Sequence, residues 1–348
     1  MLLKELSEAV GVSGNEDAVR RLILQAIDGH ASDIRIDPLG SVTAVKTGTG
    51  DNPLRVMVTA HMDEIGFIVR GYDSDGLIRF ARVGGVDERI LPGLRVQIGT
   101  KALLGVIIWT PIHMNRDQDT VSIDKLRIDI GVTSKDAAKK KVKIGDFIAF
   151  ESRYMEIGTA MLRGRAFDNR AGCSLLVDLL QDDPYPVDIL AAFTVQEEIG
   201  LRGAQVAGQT LDPDIVIALE GTTANDVPDP TADPDDQIEH NPVARLGAGP
   251  VLTIMDRQLI VNPRLLAFLR ATAEANDIPY QFKTMASGAT DAGAIHIANA
   301  GIPAAVISVA CRYVHEPAAY MNRHDYDHAL QLLKAVVNDL TPDVLSHE

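Results

Sequence analysis

The run Val187-Asp188-Ile189-Leu190-Ala191-Ala192-Phe193-Thr194-Val195 passes directly into Gln196-Glu197-Glu198-Ile199-Gly200-Leu201-Arg202-Gly203. Its first half, Asp188 apart, is largely apolar and partly β-branched, as expected of a strand buried on both faces of a parallel sheet. The second half sets two carboxylates side by side at the strand's end. Glu197 and Glu198 repel each other there and carry a desolvation cost without structural return. A strongly positive partner removes the conflict, and a bound metal ion is the obvious one. One glutamate then serves as a ligand and its neighbour as a proton shuttle.

Leu54-Arg55-Val56-Met57-Val58-Thr59-Ala60 has the same apolar character and ends at His61. Further on, strands expected at 187–195, 214–219, 280–284 and 304–309 alternate with helices at 169–181, from about 201, and at 263–276, 290–299 and 326–340. Helices between buried strands predict an α/β fold with a mainly parallel sheet covered by helices on both faces. Near the start, Ser13-Gly14-Asn15-Glu16 has the form of a capping box and predicts a helix to about residue 28. From 66 to about 160 short β-like runs alternate with glycine turns, with one short helix near 135–141. That texture predicts a small β-rich domain, 66–161, inserted into a main domain made of 1–65 and 162–348. The stretch 226–248, rich in proline and aspartate, reads as a long loop.

At 348 residues the chain has room for both domains. A formal net charge of −15 argues against nucleic acid or an anionic membrane as the partner. The basic run Lys139-Lys140-Lys141 fits a solvated helix end. Met1-Leu2-Leu3-Lys4-Glu5 lacks the apolar stretch of a secretion signal, and no segment has membrane-spanning length, so a cytoplasmic protein is expected. Cys173 and Cys311 are the only cysteines and imply no disulfide framework. Any metal must be held by His, Asp and Glu.

In open α/β sheets functional groups gather at the carboxyl ends of the strands. Those ends deliver His61-Met62-Asp63, the pair Glu197 and Glu198, Glu220, and Arg312-Tyr313-Val314-His315, while Asp168 stands just before a helix. Each has an ordinary reading alone: Asp168 as a helix cap, Glu220 as a strand-end carboxylate, a histidine as packing. Together they form an N/O donor set suited to Zn²⁺, Co²⁺ or Mn²⁺. There are too many ligands for one tetrahedral ion and about enough for two ions sharing a carboxylate, the kind of centre that activates a bridging water in hydrolases. His61 can bind metal while Asp63 orients it or a neighbouring group. One of Glu197 and Glu198 ligates, and the other moves a proton from water to the leaving amine.

The chain resembles the M42 family of di-metal aminopeptidases, which includes glutamyl aminopeptidases, deblocking aminopeptidases and TET-like peptidases. The resemblance covers about 5–340 and is carried by Ala60-His61-Met62-Asp63-Glu64-Ile65-Gly66, Gly164-Arg165-Ala166-Phe167-Asp168-Asn169-Arg170-Ala171-Gly172 and Gln196-Glu197-Glu198-Ile199-Gly200-Leu201-Arg202-Gly203-Ala204. Thr290-Asp291-Ala292-Gly293 and Arg312-Tyr313-Val314-His315 complete it. It implies His61 and His315 as terminal ligands, Asp168 as the bridging carboxylate, and Glu198 paired with His315 or His61 on one ion. It implies Glu197 as the general base, Asp63 as the support of His61, and Glu220 as the third carboxylate, where many relatives carry aspartate. It also implies that 66–161 is a dimerisation domain and that dimers build a tetrahedral dodecamer around a peptide-accessible chamber. The acidic segment 228–236 is longer than the family pattern and reads as a solvated loop, or else as a chamber loop that biases substrates.

Outside the constellation, His296 is expected to pack within its helix and Cys173 to be a small core residue. Ser287-Gly288-Ala289-Thr290-Asp291 either lines a substrate pocket or caps a helix. The expected activity is removal of N-terminal residues from peptides with two zinc or cobalt ions per subunit. The alternatives are a metal-dependent deacylase or amidohydrolase of small amides and an endoglucanase.

Overall fold

The computed structural model describes residues 2–114, 121–227 and 243–345; the acidic segment 228–236 lies outside them. Helices α1 (Leu3–Glu8) and α2 (Asp17–Ile27) lead into strands β1 (Ser32–Ile36), β2 (Val42–Lys46) and β3 (Arg55–His61). Six strands follow: β4 (Gly66–Tyr72), β5 (Ile78–Val83), β6 (Arg95–Ile98), β7 (Leu103–Ile108), β8 (Arg127–Asp129) and β9 (Phe147–Phe150), with α3 (Lys135–Lys141) before the last. Then come β10 (Met155–Ile157), β11 (Met161–Gly164), α4 (Phe167–Leu180), β12 (Asp188–Thr194), α5 (Arg202–Leu211) and β13 (Ile215–Thr223). The chain closes with β14 (Val251–Leu252), α6 (Pro263–Ala275), β15 (Gln281–Phe282), α7 (Asp291–Ile295), β16 (Ala304–Arg312), β17 (Ala319–Asn322) and α8 (Arg323–Asp339).

The four most apolar strands lie together in the order β12-β3-β13-β16 and run parallel. Nearly every residue in them is buried, which is why they read as continuous apolar runs. Adjacent residues of β3 show what covers them. Thr59 Oγ1 donates to Asp291 on α7 at 3.3 Å, whereas a Cβ on Gly172 of α4 would come 3.1 Å from Ala60 Cβ. Successive strand residues point to opposite faces, so α4 and α7 cover opposite sides of the sheet.

The sheet as a whole is mixed. It continues as β1-β2 on one flank and β17-β11-β10 on the other, and these pairings are antiparallel, as are β2–β12, β16–β17 and β14–β16. The mainly parallel sheet expected from the sequence is thus confined to the centre. Short turns such as the one joining β10 to β11 admit only antiparallel neighbours.

Strands β4 to β9 close into a barrel in the order β4-β5-β8-β7-β6-β9. It has its own core, in which Phe67 meets Phe80 and Phe150 edge-to-face at 5.2 and 5.4 Å. Closure gives each of the six strands a neighbour on both sides, with β5 and β8 meeting only at Ile78 and Ile128.

The expected capping box does not form. Helix α2 has Glu16 at its N-cap with no side-chain cap, Glu16 Oε1 accepts from Gly14 N at 2.7 Å, and Ser13 Oγ donates to Asp63 Oδ2 at 2.6 Å. Strand β13 runs through Glu220 instead of ending before it, because the ladder with β16 continues with Glu220 opposite Ser308.

Candidate metal centre

The parallel strands bring His61, Glu197, Glu198, Glu220 and the segment after β16 to one edge of the sheet. Asp168 reaches the same place from the irregular first turn of α4, where Asp168 and Asn169 depart from helical geometry. The regular part of α4 is capped by Asn169, whose Oδ1 accepts from Gly172 N at 3.0 Å, so Asp168 is free of the capping role it had as an alternative. Its carboxylate lies between two imidazoles: Oδ1 is 3.2 Å from His61 Nε2 and Oδ2 is 3.6 Å from His315 Nε2. Around the same His61 nitrogen, Glu220 Oε1 is 3.2 Å from Nε2 and Glu197 Oε2 is 3.9 Å from it. Glu198 Oε1 stands 3.1 Å from His315 Nε2.

Asp63 is fully buried and meets the cluster at the Nδ1 side of His61. Its Oδ1 lies 3.4 Å from His61 Nδ1 and accepts Glu197 N at 2.9 Å, while Oδ2 accepts Glu198 N at 3.2 Å. One carboxylate therefore holds both His61 and the turn that presents the glutamate pair. That second duty has no signature in the spacing of the sequence.

Backbone conformation adds to the placement. Ala166, Gln196, Tyr313 and His315 all have left-handed backbones, with φ of +54°, +58°, +58° and +65°. Such non-glycine positions cost of order 1–3 kcal/mol each and persist where the surroundings fix them. None is glycine, so nothing in the residue types announces them. Gly221, next to Glu220, is required by a close approach: a Cβ there would lie 2.7 Å from Asp168 Cα.

Burial pushes the Glu220 carboxyl up to about 8, against the pull of His61. It also raises Glu197 well above the usual carboxylate range and raises Glu198. Burial alone lowers an imidazole, yet hydrogen bonds to Asp168 and Glu198 carry His315 up to about 11, and the charges of Glu220 and Glu197 carry His61 well above its ordinary value. Asp168 stays below the usual range because its bonds to both imidazoles outweigh burial. The carboxylates and imidazoles thus compete for protons in a site largely shielded from water. Two donor groups, His61 with Glu197 and Glu220, and His61 with Asp168 and Glu198, each bring their atoms within 4.8 Å of one another. Oxygen and imidazole nitrogen donors at such density fit divalent cations of hard to borderline character, whose charge favours ionised carboxylates and neutral imidazoles.

The cluster forms the floor of a cavity of about 450 Å³. Thr222, Thr253, Gln258, Lys283 and the segment 287–290 contribute to its walls, so that segment lines a pocket. Asp291 lies below, accepting from Thr59 and Thr194. The barrel also reaches the cluster. At the turn after β5, a Cβ on Gly84 would come 3.4 Å from Glu198 Cβ, and one on Gly85 3.4 Å from His315 Nδ1. Cys173 packs behind it with Sγ 3.1 Å from His61 O, and burial pushes its thiol up to about 12, which keeps it neutral.

A family model described as M42 glutamyl aminopeptidase matches residues 40–332. A putative aminopeptidase of Acetivibrio thermocellus is 37% identical over 338 residues, spanning 95% of this chain and 96% of the relative. The TET aminopeptidase of Thaumarchaeota archaeon SCGC AB-539-E09 superposes with a TM-score of 0.91 at 33% identity, covering 99% of this chain and 98% of the other. The Pyrococcus horikoshii TET1 peptidase, which can assemble into a tetrahedron or a large octahedral shell, superposes with a TM-score of 0.85 at 30% identity, covering 97% and 98%.

Proposed function

This chain belongs to the M42 family of aminopeptidases, and from that premise we propose that it hydrolyses N-terminal residues from peptides in a metal-dependent reaction at a two-ion centre. The observation that carries the proposal is Asp168 between two imidazoles, with Glu220 beside one and Glu198 beside the other. His61, Glu220 and Asp168 would hold one ion, and His315, Glu198 and Asp168 the second. Bound there, divalent ions supply Lewis acidity toward the scissile carbonyl and make the attacking water more acidic.

Glu197 is left as the proton carrier. Its carboxylate takes the proton of the attacking water and returns it to the nitrogen of the leaving amine. Asp63 acts through the backbone by fixing the N–H groups of Glu197 and Glu198. The cavity above the cluster gives the peptide's end a place to bind, and the free amine anchors it there.

Zinc or cobalt suits these donors. We further propose that the barrel, within residues 66–161, is the dimerisation unit, that dimers assemble into a tetrahedral dodecamer, and that the protein acts in the cytoplasm. The assembly of the Pyrococcus horikoshii relative supports the second point, and light scattering of the purified chain tests it. Among the described residues no helix is long and apolar enough to cross a membrane.

Glu197→Gln is the direct test of the mechanism. It should lower kcat by about 10²- to 10⁴-fold while leaving metal content unchanged. Near-full peptidase activity in this variant would refute the proton-carrier role. Free-amine and N-acyl substrates compared side by side separate aminopeptidase from deacylase. Loss of activity in chelator counts against glycoside hydrolysis, which works with two carboxylates alone.

A further inference from the structure

Asp168 is flanked by two buried arginines, Arg165 and Arg170. They share one acidic partner, Glu64, which follows His61 and Asp63 in the same turn. Arg165 Nε lies 2.8 Å from Glu64 Oε2, an ion pair off the hydrogen-bond line, and Arg170 Nη2 lies 3.3 Å from Glu64 Oε1. Gly11 N also donates to Glu64 Oε1, at 2.9 Å. The Nη donors also reach backbone carbonyls, Arg165 at Phe150 and Ala9 and Arg170 at Leu6 and Ala9, while Arg170 Nε is buried without a hydrogen-bond partner.

Stability alone explains this cluster poorly. A buried ion cluster seldom stabilises a fold more than apolar residues of the same volume, because desolvation offsets the attraction. Its geometry offers a different benefit: one carboxylate ties the turn behind His61 to both ends of the turn carrying Asp168. Glu64 is therefore connected, through rigid guanidinium groups, to the two sides of the 3.2 Å contact between His61 and Asp168, ligand positions on separate elements.

We propose that Glu64 is a positioning residue that, through Arg165 and Arg170, fixes Asp168 against His61 in the geometry a shared carboxylate requires. The inference rests on the two-ion reading of the site. Outer partners of this kind typically change metal affinity by about 10- to 100-fold when removed.

The test is calorimetric titration of the full chain, stripped by chelator, with Co²⁺, alongside steady-state kinetics and thermal unfolding of the metal-free protein. Glu64→Gln preserves size and removes the charge. It should weaken Co²⁺ binding about 10- to 100-fold and lower kcat, with KM within about twofold of wild type. Glu64→Asp, which retains the charge, should recover part of the affinity. A purely structural Glu64 would lower the melting temperature yet leave Co²⁺ affinity and kcat as in wild type, and that result overturns the proposal. Should Glu64→Gln fail to fold, Arg165→Lys keeps a charge but loses the planar fork and is judged by the same criterion. A wild-type chain that binds no Co²⁺ refutes the two-ion reading itself, so the two failures are distinct.

Discussion

A single methyl group at position 221 measures how rigidly the centre is built. A Cβ on Gly221 would lie 2.7 Å from Asp168 Cα, 2.8 Å from Asp168 Cβ and 3.1 Å from Asp168 N. Nonbonded carbons rest at about 3.5–4.0 Å, so alanine leaves a shortfall of about 0.8 Å. No rotamer change relieves it, because the atoms met are backbone and Cβ. Neither side yields readily: Gly221 is paired within β13 and β16, and Asn169 Nδ2 beside Asp168 donates to Leu219 O at 2.7 Å. Overpacking of this kind costs about 1–3 kcal/mol of stability. The larger effect falls on chemistry, since a displacement of about 1 Å in a reacting constellation costs on the order of 100-fold in rate. Gly221→Ala is therefore expected to fold with a lowered melting temperature and to lose about 100-fold in kcat on aminoacyl-p-nitroanilides. Co²⁺ affinity, measured by titration, should fall with it. Wild-type kcat and affinity in the alanine variant would mean that Asp168 has slack and that the backbone does not set its position.

Two further outcomes follow from the same site. In the metal-free chain Glu220 is held up to about 8 and His315 up to about 11, so both bind more protons folded than unfolded. Stability should then decline as pH rises, through about 4.5–8 for Glu220 and about 6.5–11 for His315. A melting temperature in chelator that climbs between about pH 6 and pH 9 would contradict this, and saturating metal should flatten the decline by displacing those protons. Lys283 is the sole Lys or Arg among the described residues lining the cavity, and its Nζ donates to Ser287 O at 2.8 Å. It should favour peptides with an acidic N-terminal side chain. Lys283→Met should raise KM for a glutamyl substrate about tenfold or more and leave a leucyl substrate unaffected; equal changes for both would rule the role out.

The parts of this molecule that could be read in advance are those whose chemistry is local. Strands β3, β12, β13 and β16 are buried on both faces and carry that burial as continuous apolar runs. Because they are parallel, their carboxyl ends share one edge, and His61, Glu197, Glu198 and the segment carrying His315 could be grouped on that ground. Strand β10, by contrast, is exposed along its whole length and leaves no pattern. Ser13 and Glu16 matched a local capping motif, but Ser13 has its partner in Asp63, far along the chain. Glu64 could not be assigned a task, since nothing in its spacing announces Arg165 and Arg170. The left-handed residues beside the ligand positions were equally silent, because their conformation is imposed by tertiary contacts and not by glycine.

The turn Gly84-Gly85, which rests on Glu198 and His315, limits how freely this architecture can be recombined. An inserted barrel with its own core looks like a transferable cassette, one that could be deleted or exchanged between relatives. Here its turn lies against two side chains of the candidate metal centre. A chimera must inherit that turn in register, or the host centre loses a wall. The barrel and the candidate centre are constrained to change together at this turn.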